Sequence, residues 1–193
     1  MFKPADILAI GDQLVQEGVG IFPFDTLLGI TGVVSESVIQ RIQYIKNRQD
    51  QPFILILPEW DQLTDWVAPL STQQERILKY YWPAPITFIF KKHDRVPDYV
   101  TCSKSTIAIR MVEFLPVNFL LEYLKKPVLS TSVNITGEPS CMTVADCPDT
   151  IVSQMDFVLD SCKSLYHQPS TIVDLSSEEP ICLRQGVIPY ETI

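Results

Sequence analysis

Residues 106–134, TIAIRMVEFLPVNFLLEYLKKPVLSTSVN, decide the fold class. The first five alternate, with Ile107 and Ile109 on one face and Arg110 on the other, which is the period of a strand. Pro116 suits the first turn of a helix that continues through Leu124, and residues 128–132 read as the strand that follows. Outward from this unit the pattern repeats without strict regularity. Toward the amino terminus Ile7, Leu8, Ile10, Leu14 and Val15 fall at helical spacing, with Gly18 as expected C-cap and a strand at 19–23. Ser35 is the expected N-cap of a helix carrying Val38, Ile42 and Ile45, and residues 53–57 form a buried strand. Ser71-Thr72-Gln73-Gln74 fits a capping box, opening a helix that ends before Pro83, with a strand at 86–90 after it. A short helix at 150–155 and strands at 157–159, 170–175 and 181–184 complete the reading. Irregular alternation of helix and strand predicts an α/β fold with a mixed sheet.

Composition narrows the class. The 193 residues suffice for one domain with a substantial core, and no Pro/Gly/Ser-rich linker divides residues 1–193. Hydrophobic residues at 46% and charged residues at 20% are those of a soluble globular protein. Apolar runs such as Phe53-Ile54-Leu55-Ile56-Leu57 are too short to span a bilayer, and Pro4 and Asp6 follow Lys3 with no signal-peptide pattern. A cytoplasmic location is therefore expected, with no membrane partner. Five cysteines, an odd number without a C-x-x-C pair, point to reduced thiols. With His93 and His167 as the only imidazoles, no metal-ligand set is read. Fifteen Lys+Arg against 23 Asp+Glu gives a net charge of −8, so any RNA contact needs a local basic patch.

Neither G-x-x-x-x-G-K-[ST] nor G-x-G-x-x-G occurs, so a bound phosphate must be held by side chains or a helix end. Lys46-Asn47-Arg48 closes the second expected helix, where two cations serve either as complements to the macrodipole or as phosphate donors. Ser132 and Asn134 are either turn residues after a strand or short hydrogen-bonding groups aimed at a reacting centre. Arg110 and Arg184 each end an expected strand, as snorkelling edge residues or as an anion clamp. Residue by residue, these alternatives stay open.

Taken in order, the same stations resemble the YrdC-like family of threonylcarbamoyl-AMP synthases, the bacterial TsaC type in particular, over nearly the full chain. Phe22-Pro23-Phe24-Asp25-Thr26-Leu27-Leu28-Gly29 resembles the family's Y-P-T-[DE]-T-x-[YF]-G, and Lys46-Asn47-Arg48 its K-x-R. Trp82-Pro83-Ala84-Pro85-Ile86-Thr87 is similar to W-P-G-P-[LV]-T, and Ala108-Ile109-Arg110 to A-[VI]-R. Ser130-Thr131-Ser132-Val133-Asn134-Ile135-Thr136-Gly137 resembles S-T-S-A-N-x-S-G. Pro169-Ser170-Thr171-Ile172-Val173-Asp174 and Leu183-Arg184-Gln185-Gly186 resemble the closing P-S-T-[IV]-[VI]-D and [LF]-R-x-G. Four positions depart from the family: Phe24 replaces threonine, Leu28 an aromatic, Ala84 glycine and Val133 alanine. Phe24 and Leu28 fall in the segment the family uses near its amino acid, so they bear on specificity. The Phe22/Phe24 same-face alternation permits a Phe24 ring turned into the core, the outcome expected here, with threonine kept as substrate; a ring lining the pocket instead would shift specificity.

The resemblance implies a single-domain YrdC-like fold, a twisted mixed sheet with surrounding helices and a concave ligand cleft. It implies synthesis of threonylcarbamoyl-AMP from L-threonine, bicarbonate and ATP, with pyrophosphate released, for threonylcarbamoyladenosine modification of tRNA. Lys46, Arg48, Ser132 and Asn134 are then the catalytic and ATP-binding set, joined by Arg184 on the nucleotide phosphates. Thr26, Arg110 and Ser170 face threonine, Arg110 taking its carboxylate. Mg²⁺ is expected with ATP, no metal is expected on the protein itself, and threonylcarbamoyl transferase proteins acting on tRNA are the expected downstream partners. On this reading Lys46→Ala and Arg48→Ala each remove activity and leave the fold intact. The alternatives are an RNA-binding module of the same fold, a nucleotide-binding paralogue with altered amino-acid specificity, and carbamoyl transfer of the hydrogenase-maturation kind. The last occurs in longer chains with zinc-binding and acylphosphatase parts.

Overall fold

The computed structural model describes residues 3–48, 51–135 and 137–190, so Thr136 of the second motif lies outside the described residues. Helix α1 (Pro4–Val15) begins on the proline that its first turn tolerates. Its exit differs from expectation. Glu17, not Gly18, adopts the left-handed conformation (φ 63°), whereas a Cβ at Gly18 would lie 2.8 Å from the carbonyl oxygen of Gln13. Close approach, not positive φ, therefore explains that glycine.

Strands β1 (Gly20–Pro23) and β2 (Leu28–Val33) form an antiparallel pair. The sequence pattern does not announce β2, because Gly29 and Gly32 weaken its strand signal. Packing explains both glycines: a Cβ at Gly32 would meet Val38 Cγ1 at 2.4 Å, and one at Gly29 would meet the Phe24 ring at 2.7 Å and Ser130 Oγ at 2.8 Å. Gly29→Ala is accordingly expected to cost about 1–3 kcal/mol by overpacking. A lowered melting temperature with an unchanged far-UV spectrum checks this, and an unshifted one would mean that the Phe24 ring gives way freely.

Ser35 caps α2 (Glu36–Ile45), its hydroxyl accepting from the Val38 amide at 3.3 Å. After β3 (Ile54–Ile56) and a 3₁₀ turn at Trp60–Asp65, Ser71 and Gln74 form the expected capping box of α3 (Thr72–Tyr81). Then follow β4 (Ile86–Lys91), α4 (Asp98–Thr101), β5 (Thr106–Arg110), α5 (Leu115–Leu124) and β6 (Val128–Ser132). The chain closes with α6 (Asp149–Val152), β7 (Phe157–Val158), β8 (Thr171–Asp174) and β9 (Ile181–Arg184). Among the described residues the strands join in one sheet, ordered β7-β1-β2-β6-β3-β5-β4-β8-β9. It is mixed, with β1–β7, β3–β5 and β4–β8 parallel and the other pairs antiparallel.

Strand alternation sends neighbours to opposite faces and makes two cores. Ile21, Leu55, Phe88, Ile109 and Leu129 pack with Val38, Ile42 and Leu78 of α2 and α3. On the reverse face Phe22, Ile56 and Val128 pack with Ile7, Leu14, Leu120 and Leu121 of α1 and α5.

Candidate active site

Helices α1 and α5 leave part of their sheet face uncovered, and there the small side chains of Ala108, Ser130 and Ser132 hollow a cleft of about 390 Å³. Sheet register sets its floor. Ile54 lies between Ser130 and Ala108, Ile56 pairs with Arg110, Gly29 with Ser132, and Ile172 with Arg184. Thr26, Arg48, Ser170 and Pro169 complete the wall with Phe24.

Each cleft arginine grips a hydroxyl oxygen. Arg110 Nη1 donates to Thr26 Oγ1 at 3.2 Å, Arg48 Nη1 to Thr131 Oγ1 at 3.0 Å, and Arg184 Nη2 to Ser170 Oγ at 3.1 Å. In the first two pairs the oxygen is the acceptor, so the hydroxyl proton is left to donate elsewhere. Ser170 shares its hydroxyl with Thr87 Oγ1 at 2.8 Å. Arg184 also donates twice to the Ser170 carbonyl, and Arg48 Nη2 to that of Pro52 at 2.9 Å, while Arg48 Nε has no partner among the described residues. Burial pushes all three guanidinium groups below their usual range, with Arg184 adding to the effect at Arg110 and Asp25 opposing it. Of the three cleft arginines, Arg110 alone forms an ion pair among the described residues, with Asp25. The result is a donor-rich, positive cleft in a chain of net charge −8, suited to phosphate and carboxylate oxygens.

The K-N-R station is shaped by Asn47, whose left-handed backbone (φ 47°) ends α2 and is tolerated by asparagine. Arg48 thereby reaches the cleft. Lys46 does not line it: only 2% exposed, it donates from Nζ to the carbonyls of Ser132 and Asn134 and to Asn134 Oδ1, the last two at 3.0 and 2.9 Å. These contacts give Lys46 a structural load as well, so Lys46→Ala is expected to cost stability in addition to activity. Burial, with the nearby Arg48 charge, lowers the Lys46 pKa to about 8, against an opposing pull from Cys141. Asn134 links the two layers, since its Oδ1 also accepts from Ser132 Oγ at 2.6 Å and its Nδ2 donates to the Glu138 carbonyl at 2.7 Å.

The structure thus brings Thr26, Arg48, Arg110, Ser132, Ser170 and Arg184 to one cleft and places Lys46 behind it. Sequence reasoning assigned nothing to Asp25, Ser130 or Thr131. For Asp25 a signal existed, an acid within the run Phe22-Pro23-Phe24-Asp25-Thr26-Leu27-Leu28, which demands a partner if buried. Phe24 shows part of both expected outcomes: it is buried, packing edge-on to Phe22 at 6.0 Å between centroids, and it also borders the cleft.

A family model named Sua5_yciO_yrdC and described as "Telomere recombination" matches residues 12–186. The chain belongs to this family. A threonylcarbamoyl-AMP synthase of Vibrio vulnificus is 32% identical over 155 residues, 79% of this chain and 82% of that protein. One from Pyrococcus abyssi is 28% identical over 189 residues, but the chain spans only 56% of its length. The crystal structure of P. abyssi Sua5 complexed with L-threonine superposes with a TM-score of 0.92 at 25% identity, covering 100% of this chain and 57% of that one. The fold is therefore the Sua5/YciO/YrdC fold that the motifs imply, and the cleft lies within the matched region.

Proposed function

We propose that the protein synthesises threonylcarbamoyl-AMP from L-threonine, bicarbonate and ATP, releasing water as the threonine amine and bicarbonate form the carbamate and pyrophosphate as the carbamate is adenylated. The single observation that carries this is the convergence of Arg48, Arg110 and Arg184, each holding a hydroxyl, on one cleft of a family whose relatives are named for that activity. In this reading an oxygen of the threonine carbamate attacks the α-phosphorus of ATP, forming the new P–O bond as the bond to pyrophosphate breaks. Arg48, Thr131 and Ser132 meet the reacting phosphate, and Arg184 the remaining nucleotide phosphates. Arg110 and Thr26 hold the amino-acid carboxylate, with Ser170 beside them. Lys46 acts from behind through Ser132 and Asn134. Positioning and charge supply the rate, and no protein nucleophile is required.

Mg²⁺ enters this scheme as part of the ATP substrate. Among the described residues no group of three or more His, Cys, Asp or Glu side chains is arranged to hold a metal. Asp25, the carboxylate paired with a cleft arginine, is engaged by Arg110, so the donor set does not fit a resident ion. No helix among the described residues is long and apolar enough to cross a membrane, and we place the reaction in the cytoplasm, upstream of a tRNA threonylcarbamoyl transferase. The test is pyrophosphate release by the purified chain. Dependence on threonine and bicarbonate together supports the proposal, and release indifferent to either would overturn it.

Phe24 is buried against Phe22 although it also borders the cleft, and we keep threonine as the substrate because the ring is held in the core. Phe24→Thr is expected to cost about 3–5 kcal/mol, as for other large-to-small core changes, without improving threonine use. Thermal melts and competition among threonine, serine and valine check both parts. A wild type that ignores threonine while Phe24→Thr accepts it would reverse the assignment.

A further inference from the structure

Asp25 lies behind the cleft, in the turn between β1 and β2, and is 1% exposed. Its Oδ2 accepts from Arg110 Nη2, and its Oδ1 has no hydrogen-bond partner among the described residues. A buried ion pair seldom repays its desolvation, and hydrophobic residues of similar volume often stabilise as well or better. Stability alone is thus a weak reason for a carboxylate at this position.

Its geometric consequence is specific. Arg110 Nε donates to the Ala84 carbonyl at 3.1 Å, Nη1 to Thr26 Oγ1 at 3.2 Å, and Nη2 to Asp25. Contacts in three directions fix the guanidinium plane, and they leave one N–H on each terminal nitrogen of a side chain that lines the cleft. The bond to Thr26 also fixes that hydroxyl as an acceptor toward Arg110, so its proton is available to a ligand. Asp25 is tied in turn to a neighbouring segment, its backbone carbonyl accepting from Leu165 and Tyr166 amides at 2.7 and 2.9 Å. One carboxylate behind the cleft thereby sets the direction of two donors at its front.

We infer that Asp25 is a positioning residue of the amino-acid site, which aims Arg110 and Thr26 at the carboxylate of the incoming amino acid without touching it. The inference rests on the reading of Arg110 as the carboxylate-holding group. It predicts that loss of Asp25 removes recognition of the carboxylate and spares handling of the nucleotide.

The experiment compares the KM for L-threonine with the inhibition constant of L-threoninol, which lacks the carboxylate, in wild type, Asp25→Ala and the near-isosteric Asp25→Asn. Asp25→Glu serves as the conservative variant. Wild type should favour threonine strongly. In Asp25→Ala or Asp25→Asn the preference should fall at least tenfold while the KM for ATP moves less than twofold, with partial rescue in Asp25→Glu. Folded Asp25 variants that keep the wild-type preference would overturn the inference and leave Arg110's role standing. A wild type that does not distinguish the two compounds would overturn the carboxylate reading itself. Failure of all three variants to fold would assign Asp25 to folding alone, against the inference.

Discussion

Lys46→Ala is expected to lower adenylate formation at least about a hundredfold, some 2.7 kcal/mol of transition-state stabilisation, and to destabilise the protein as well. Three acceptors, the carbonyls of Ser132 and Asn134 and Asn134 Oδ1, meet the three N–H donors of one ammonium group. Alanine takes the ammonium away from half-buried acceptors, of which Asn134 Oδ1 keeps the Ser132 hydroxyl, at roughly 1–3 kcal/mol in all. Arginine is no substitute, because its larger planar head does not fit a socket in which the lysine is 2% exposed. The pH dependence separates the site from the fold. The folded-state pKa of about 8 lies below the ordinary 10.5, so between these values the unfolded chain holds more protons and stability rises with pH. Activity should fall through the same window, since neutral Lys46 offers two N–H groups and a lone pair to three acceptors. Pyrophosphate-release rates and thermal melts from pH 7 to 10 would show the divergence, and parallel curves would reduce Lys46 to a stabilising residue.

Arg48→Ala should behave differently. Arg48 is half-buried, donates to Thr131 and Pro52, and lies 5.8 Å from the centroid of the Phe53 ring. Its removal breaks partly solvated contacts, at about 1–2 kcal/mol of stability by the net worth of such hydrogen bonds. It also removes a charge-assisted contact to phosphate whose worth grows as charge develops in the transition state, so kcat/KM for ATP should drop about a hundredfold. Steady-state kinetics against ATP beside a thermal melt would decide. An activity loss that merely tracks unfolding would remove Arg48 from the site.

Lys46 and Arg48, two positions apart, thus carry different loads, and that difference was not legible in the sequence. Helix α2, its capping serine and the K-N-R exit follow from local spacing. The contacts of Lys46 span 86 and 88 residues, and those of Arg110 with Thr26 and Asp25 span 84 and 85. Only the assembled sheet shows which cation faces the cleft. Strand β2 escaped for a related reason: its glycines answer to Phe24, Ser130 and Val38, neighbours that strand propensity does not count. The order of strands was equally out of reach, because β6 is inserted between β2 and β3 by long-range pairing. What local chemistry did reveal were the strand-ending arginines and the hydroxyl-rich S-T-S run, whose residue types already matched an anion site.

Adenylation of a threonine carbamate in this cleft can be read from mass spectrometry of the product formed from ATP, L-threonine and isotope-labelled bicarbonate. Threonylcarbamoyl-AMP carrying the label is expected, formed in step with pyrophosphate and greatly reduced by Arg48→Ala. Pyrophosphate appearing with no labelled adenylate, or an adenylate of threonine without the carbamoyl carbon, would contradict it.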